Sequence, residues 1–428
     1  MPQSTKTSFP KDKIRVVLLE NIHPRAGELF EEEGFKVERI AKAHEGAKLI
    51  EIAQDAHVLG IRSQSQVRGP ELKAWHRMLS VGCFCIGTNQ VDTKAACLAG
   101  VPVFNSPFSN TRSVAELTIA EIIGLHRRLT DKSTELHAGK WDKSAAGAHE
   151  VRGRTLGIVG YGHIGSQVSV LAEAIGMRVI YFDIAKVMPM GNAMAVKTLD
   201  DLLAKSDVVT LHVPATKKTE RMIGAGQIAK MREGSYLINN ARGSVVDIPA
   251  LAAGLKGGRV AGAALDVFPK EPSSNAEMFA SEIRGVGNVI LTPHIGGSTE
   301  EAQAAIAEDV ATKLIRFVNN GSTTGAVNVP QVDLPEQDEV GVSADGAGER
   351  VAPKHRHHRI LHFHQNVPGV LSKINSVMAE LGVNIAGQYL KTNDDVGYVV
   401  LDVAPTNAEQ ISDRLKAIPE TIRVRMLW

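Results

Sequence analysis

Arg242, Glu271 and His294 each follow an apolar run that reads as a buried strand: LINNA before Arg242, ALDVFPK before Glu271 and NVILTP before His294. Open α/β sheets bind ligands just outside the C-terminal ends of their strands, so the three side chains are expected near one rim. His294 is the one of the three that titrates near neutrality, which suits it to take or return a proton. Glu271, hydrogen-bonded to it, would stabilise the imidazolium and raise its pKa. Arg242 presents a planar fork of donors that grips a carboxylate with two bonds. Together they suit removal of hydride from a secondary alcohol that sits beside a carboxylate, and that reaction requires a hydride acceptor.

A place for the acceptor is written in residues 155–183, TLGIVGYGHIGSQVSVLAEAIGMRVIYFD. A short apolar strand runs into Gly160, Gly162 and Gly165, and the helix after them is apolar at Ile164, Val168, Leu171, Ala172 and Ile175, the spacing of one buried face. Gly160 permits the tight turn, Gly162 lets backbone N–H groups reach a pyrophosphate at the positive helix end, and Gly165 lets helix and strand pack closely. His163 and Ile164 belong to the same loop, and Gly176 supplies the helix stop. Asp183 closes the next strand where an acidic residue accepts hydrogen bonds from an adenosine ribose; a carboxylate there repels a 2′-phosphate, so the expected cofactor is NAD and not NADP. His212, Pro214, Asp266 and Gly297 complete the expected cofactor set.

Short apolar strands alternate with helical stretches from residue 14 to 104, and a second such series begins after a helix over 113–128. From residue 359 the rhythm changes to strand, helix, strand, strand, helix, strand. The expected fold class is therefore α/β: two Rossmann-like, doubly wound parallel-sheet domains followed by a C-terminal ferredoxin-like βαββαβ unit. The boundaries fall at 1–109 for the first part of a substrate-binding domain, 110–296 for the NAD-binding domain, 297–330 for a helical return to the first, 331–355 for a linker and 356–428 for the terminal unit. The linker assignment rests on a stretch rich in Asp, Glu, Gly, Ser and Pro without apolar periodicity. KHRHHR at 354–359 reads either as an anion-binding patch or as a solvated linker end, the second being favoured.

With 48 basic and 47 acidic residues in 428, the chain has no global field to draw it to nucleic acid or a membrane surface. Cys83, Cys85 and Cys97 lie within 15 residues of each other without a C-x-x-C, and no further Cys or His at ligand spacing completes a metal site. They read as reduced core thiols of a cytoplasmic protein, with Cys83 and Cys85 on one strand face. The first residues lack the apolar core of a signal peptide and no run is long enough to span a membrane, so a soluble enzyme is expected.

ARGSVVD, AALDVFPKEP and LTPHIGGST resemble segments of the D-isomer-specific 2-hydroxyacid dehydrogenases, and VGCFCIGTNQVD with FNSPFSNTRSVAELTIAEI resembles the branch that acts on a phosphorylated substrate. The likeness covers nearly the whole chain, and its last part is similar to an ACT regulatory domain. By that resemblance His294 is the acid/base, Glu271 its partner and Arg242 the carboxylate anchor, while Arg62, Ser63 and Asn110 match substrate-binding positions. The implied activity is NAD-dependent oxidation of a phosphorylated 2-hydroxy acid, D-3-phosphoglycerate, to 3-phosphohydroxypyruvate at the start of L-serine biosynthesis, with reduction of 2-oxo acids such as 2-oxoglutarate in reverse. HFHQNVPGVL followed by GVNIAGQYL resembles a serine-binding motif, in which His364 and Asn366 of one subunit and Asn384 of its neighbour would clasp L-serine as effector. Val367 stands where relatives often have Arg, and the linker is longer than in the family pattern. Trp141 matches a position by which nucleotide domains pair, which implies a homotetramer. Two further readings stay open: another D-2-hydroxyacid dehydrogenase with an amino-acid sensor, and an NAD-sensing corepressor that shares the fold and the triad.

Overall fold

The computed structural model describes residues 10–272, 277–335, 357–404 and 408–427. They fall into two compact units, one of residues 108–303 and the other built from the chain on both sides of it. In the second of these the strands β1 (Arg15–Leu19), β2 (Lys36–Ile40), β3 (Val58–Ile61), β4 (Ser80–Cys83) and β5 (Val103–Asn105) form a parallel sheet in the order β2-β1-β3-β4-β5. The central strands are buried along their length because helices cover both faces, which explains continuous apolar runs such as RVVLL and VLGI. β4 ends at Cys83, so Cys85 lies beyond the strand and not on a shared face with it. Instead its Sγ lies 3.2 Å from the carbonyl oxygen of Gly87.

Residues 108–303 hold β6 (Thr155–Val159), β7 (Arg178–Phe182), β8 (Met194–Ala195), β9 (Val208–Leu211), β10 (Ser235–Asn239), β11 (Val260–Leu265) and β12 (Val289–Leu291). Their order is β12-β11-β10-β9-β6-β7-β8, every pair parallel. Leu211, Leu237 and Leu265 bury one face, while Ile158, Ile238 and Ala264 bury the other. The helix expected over 113–128 spans Thr111–Arg127, starting at Asn110 and ending where Arg128 turns left-handed (φ 48°). The helix expected after His294 spans Glu300–Asn320.

Near the C-terminus β13 (His358–Gln365), β14 (Ile385–Thr392), β15 (Val396–Val403) and β16 (Thr421–Leu427) form an antiparallel sheet in the order β14-β15-β13-β16. With the Val370–Glu380 and Ala408–Lys416 helices this is the βαββαβ unit. Alternation along β13 and β15 sends Ile360, Val399 and Leu401 to those helices. Their neighbours Leu361, Phe363, Tyr398 and Val400 point the other way, into a core shared with Val310, Leu314, Phe317 and Val318 of the Glu300–Asn320 helix. Arg425 adds donors to the Phe317 and Val318 carbonyls at the end of that helix, where the Phe317 carbonyl also accepts from the Gly321 N–H at 3.0 Å.

Two expectations change here. Arg359, read as part of a solvated basic run, is 1% exposed and forms a two-bond ion pair with Asp402 at 2.7 and 2.9 Å. Its remaining nitrogen donates to the carbonyls of Asn320 and Pro335, so it fastens the β-sheet to the end of the long helix. Residues 354–356 of that basic run lie outside the described residues. The stretch assigned to a linker from Gln331 also begins as packed chain, with Val332 and Leu334 buried and the Val332 N–H donating to Thr323 Oγ1 at 2.8 Å. Among the described residues no helix is long and apolar enough to cross a membrane. Removing Asp402 would strand a buried guanidinium, so Asp402→Ala is expected to cost about 3 to 5 kcal/mol in urea unfolding, whereas the joint change Arg359→Met with Asp402→Leu costs far less.

Candidate active site

β6 is followed by Gly160, whose φ of +91° and whose closeness to the His212 carbonyl, 2.5 Å from where a Cβ would stand, exclude other residues. A Cβ on Gly165 would meet the Gly160 carbonyl oxygen at 2.2 Å, so the His163–Ala174 helix can approach the strand only through glycine. At Gly162 the space ahead of the missing Cβ is open. The N–H groups of His163, Ile164 and Gly165 open the helix there, where the backbone lacks internal acceptors, so the loop fits a dinucleotide pyrophosphate. Asp183 does more than wait for a ribose: Oδ2 accepts from the Tyr161 N–H at 2.7 Å and Oδ1 from the Ala185 N–H at 2.8 Å. Each oxygen keeps lone-pair capacity for a ribose hydroxyl. His212 sits past β9 with Nε2 3.0 Å from Thr210 Oγ1, and burial pushes its pKa down to about 3. The Pro214 carbonyl accepts from Thr219 Oγ1 at 2.6 Å.

Asp266, one residue past β11, is 1% exposed and organises the loop after β12. Its Oδ1 accepts from Thr292 Oγ1 at 2.6 Å and the Ile295 N–H at 2.8 Å, and its Oδ2 from the Gly296 N–H at 2.7 Å. The residue caught inside this clasp is His294, in the left-handed region at φ 56°. Its Nδ1 lies 2.9 Å from Glu271 Oε2, while Glu271 Oε1 accepts from the Phe268 N–H at 3.2 Å. The Glu271 bond is the main cause of a raised His294 pKa, against burial, with a smaller upward push from Asp266 and a downward one from Arg242. Burial works to raise the Glu271 carboxyl, and the hydrogen bond and charge of His294 outweigh it, leaving it below its ordinary value. Arg242 follows β10, half-buried, with Nη1 donating to the Ala241 carbonyl at 2.7 Å. Asn110 caps the Thr111–Arg127 helix by its backbone and stands against Gly297: a Cβ there would be 2.3 Å from Asn110 Nδ2.

In the other unit Arg62 and Ser63 leave β3, half-buried and exposed. Glu20, which the sequence reading passed over, holds the loop they open: its carboxylate accepts from the N–H groups of Gln64 at 3.0 Å and Ser65 at 2.8 Å. An acidic residue closing an apolar strand, the pattern used to find Asp183, marks Glu20 as well. In the βαββαβ unit Asn366 and Asn384 are exposed, Asn366 donating to the Asn393 carbonyl at 2.7 Å. His364 is buried, its ring against Gly397 and its Nδ1 2.8 Å from the Gln365 carbonyl oxygen.

Residues 119–296 match the D-isomer specific 2-hydroxyacid dehydrogenase, NAD binding domain family, and residues 360–423 match the AHAS small subunit-like ACT domain family. The chain belongs to the D-isomer specific 2-hydroxyacid dehydrogenases, and NAD is its cofactor. Within that family it is 50% identical over 422 residues to D-3-phosphoglycerate dehydrogenase of Dictyostelium discoideum, spanning 99% of both chains. It is 48% identical over 426 residues to D-3-phosphoglycerate dehydrogenase of Escherichia coli (strain K12), spanning 99% of this chain and 100% of the relative. A solved structure of D-lactate dehydrogenase from Aquifex aeolicus, complexed with NAD and lactic acid, superimposes with a TM-score of 0.62 at 28% identity, over 71% of this chain and 95% of that one. Because the Glu271 bond is what raises His294, Glu271→Gln should lower the imidazole pKa; NMR titration of His294 in both forms reads the shift directly.

Proposed function

We propose that this dehydrogenase oxidises D-3-phosphoglycerate to 3-phosphohydroxypyruvate, the first step of L-serine biosynthesis, and reduces 2-oxo acids such as 2-oxoglutarate in reverse. The reading is carried by the His294–Glu271 pair, 2.9 Å apart and brought together from the loops past β12 and β11, in a chain with full-length likeness to enzymes of that name. NAD, when bound on the glycine loop, supplies the hydride acceptor. Arg242 grips the substrate carboxylate with its planar fork. With Nδ1 turned to Glu271, Nε2 of His294 is the nitrogen that takes the hydroxyl proton, and Glu271 offsets the charge that results. Arg62, Ser63 and Asn110 hold the rest of the substrate, the Arg62 guanidinium suiting a phosphate. Asp266 acts by fixing the loop on which His294 sits.

L-serine is the proposed effector, held by His364, Asn366 and Asn384 between ACT units of neighbouring subunits in a cytoplasmic homotetramer. Trp141, 77% exposed in the single chain, is the aromatic available for pairing nucleotide domains. NADH-dependent reduction of phosphohydroxypyruvate, followed with and without L-serine, tests both claims: turnover is expected, and serine is expected to lower it in the native chain but not in Asn366→Ala. Because one face of the ACT sheet is part of the core of its unit, the point variant is a cleaner probe than removal of the domain. His294→Ala should lower kcat by about 10² to 10⁴ with NADH binding kept, and Arg242→Ala should raise KM as well as lower kcat. Near-normal turnover in the His294 variant would refute the assignment of the base.

A further inference from the structure

Glu121 and Asn240 form a buried pair that none of these steps uses. Glu121 lies on the Thr111–Arg127 helix and Asn240 follows β10; they are 3% and 7% exposed. Asn240 Nδ2 donates to Glu121 Oε2 at 2.6 Å and to Thr118 Oγ1 at 3.1 Å. The Thr118 hydroxyl proton is committed to the Val114 carbonyl, 2.9 Å away. Both amide protons of Asn240 are thereby used, and two acceptors remain buried without a partner among the described residues, Glu121 Oε1 and Asn240 Oδ1. Leaving two such oxygens unpaired is costly, and leaving one on a buried carboxylate more so. A proton on Glu121 Oε1, donated to Asn240 Oδ1, would remove both deficits.

We propose that Glu121 is the neutral carboxylic acid, donating from Oε1 to the Asn240 amide oxygen, and that this closed acid–amide pair is a positioning unit for the turn that carries Arg242. Burial is the chief cause that pushes the Glu121 carboxyl up to about 8; the Asn240 bond works against it and the Asp266 carboxylate, a charge of the same sign, works with it. Farther along the helix His126 lies against Tyr236 of β10, ring centroids 4.3 Å apart, and burial favours the neutral form of each. The turn itself is braced from inside: Asn239 Oδ1 accepts from the Ala241 N–H at 3.2 Å and Asn239 Nδ2 donates to the Arg242 carbonyl at 3.0 Å. Asn240, between them, supplies the outside anchor, so releasing it frees the backbone two residues before the guanidinium.

The positioning half rests on the reading of Arg242 as carboxylate anchor; the protonation half does not. In the full chain, infrared spectroscopy at pH 7 should show a protonated-carboxyl C=O stretch that disappears in Glu121→Gln, whose amide can donate where the acid did. The sign of the pH effect follows from a folded pKa above the unfolded one. The native stability contribution is complete below the ordinary Glu value and is lost as pH rises towards about 8, the folding constant falling by up to about tenfold per pH unit. Melting temperatures over that window should therefore fall more steeply for the native chain than for Glu121→Gln. Glu121→Ala should raise KM for the 2-hydroxy acid roughly fivefold to tenfold, the equivalent of about one buried hydrogen bond, with kcat and KM for NAD nearly kept, and Glu121→Gln should restore it. A stretch that persists in Glu121→Gln, or equal melting slopes, overturns the neutral pair. A stretch that disappears as expected while KM stays native in Glu121→Ala overturns the positioning role. Absence of phosphohydroxypyruvate turnover in the native chain would sink the proposed substrate, and the infrared and melting results would still decide the pair.

Discussion

Carboxylates at the C-terminal ends of parallel strands, each accepting backbone N–H groups from a neighbouring loop, are the constraint on which the arrangement depends. Glu20 after β1 holds Gln64 and Ser65, Asp183 after β7 holds Tyr161 and Ala185, and Asp266 after β11 holds Ile295 and Gly296. Strand ends in such sheets open to ligand, and the loops there have no ladder to fix them. A carboxylate offers about four acceptor sites in a compact group, enough to tie two amides and keep capacity for more. Charge-assisted bonds of this kind are roughly twice as strong as neutral ones, which suits them to loops that must be rigid without a packed core of their own. The phosphate loop, the loop after β3 and the loop bearing His294 are all held in this way.

The backbone at His294 shows what the clasp accomplishes. A non-glycine residue at φ 56° is held in a region that costs free energy unless its surroundings enforce it. Here the enforcement comes from both sides along the chain, since Asp266 binds Thr292 before His294 and Ile295 with Gly296 after it. The ring is thereby aimed at Glu271, and the raised imidazole pKa is a consequence of loop geometry as much as of the acid itself.

Much of this was legible in the sequence because it is periodic or local. The apolar runs gave the parallel strands, the stripe from Ile164 to Ile175 gave the helix, and the glycine spacing gave the phosphate loop. What escaped depends on partners far along the chain. Glu20 meets its amides across 44 and 45 residues, and Asp266 meets Ile295 across 29. Arg359 sits in a run of histidines and basic residues that reads as solvated, yet the strand's alternation turns it inward to Asp402, 43 residues on. Val332 and Leu334 were hidden for the opposite reason: two apolar residues among Gln, Asp, Pro and Glu are too short a pattern to register, though together they fill a core.

That core is assembled from both sides of the 108–303 unit, with β1 and β3 contributing Val16, Leu18 and Val58 and the far end contributing Phe363, Tyr398 and Leu427. Emergence from the ribosome therefore runs against the architecture. The middle unit can close as soon as residue 303 is clear of the exit tunnel, whereas the first strands, made earliest, must wait for a last strand made more than three hundred residues later. Contacts of such long separation are slow to form, and in the interval the sheet face that carries Val16, Leu18 and Val58 lies open to chaperones and to aggregation, while the opposite face can close within residues 17–103. Birth order and domain order are thus inverted in this chain: the nucleotide-binding unit, second in sequence, is the first that can be finished.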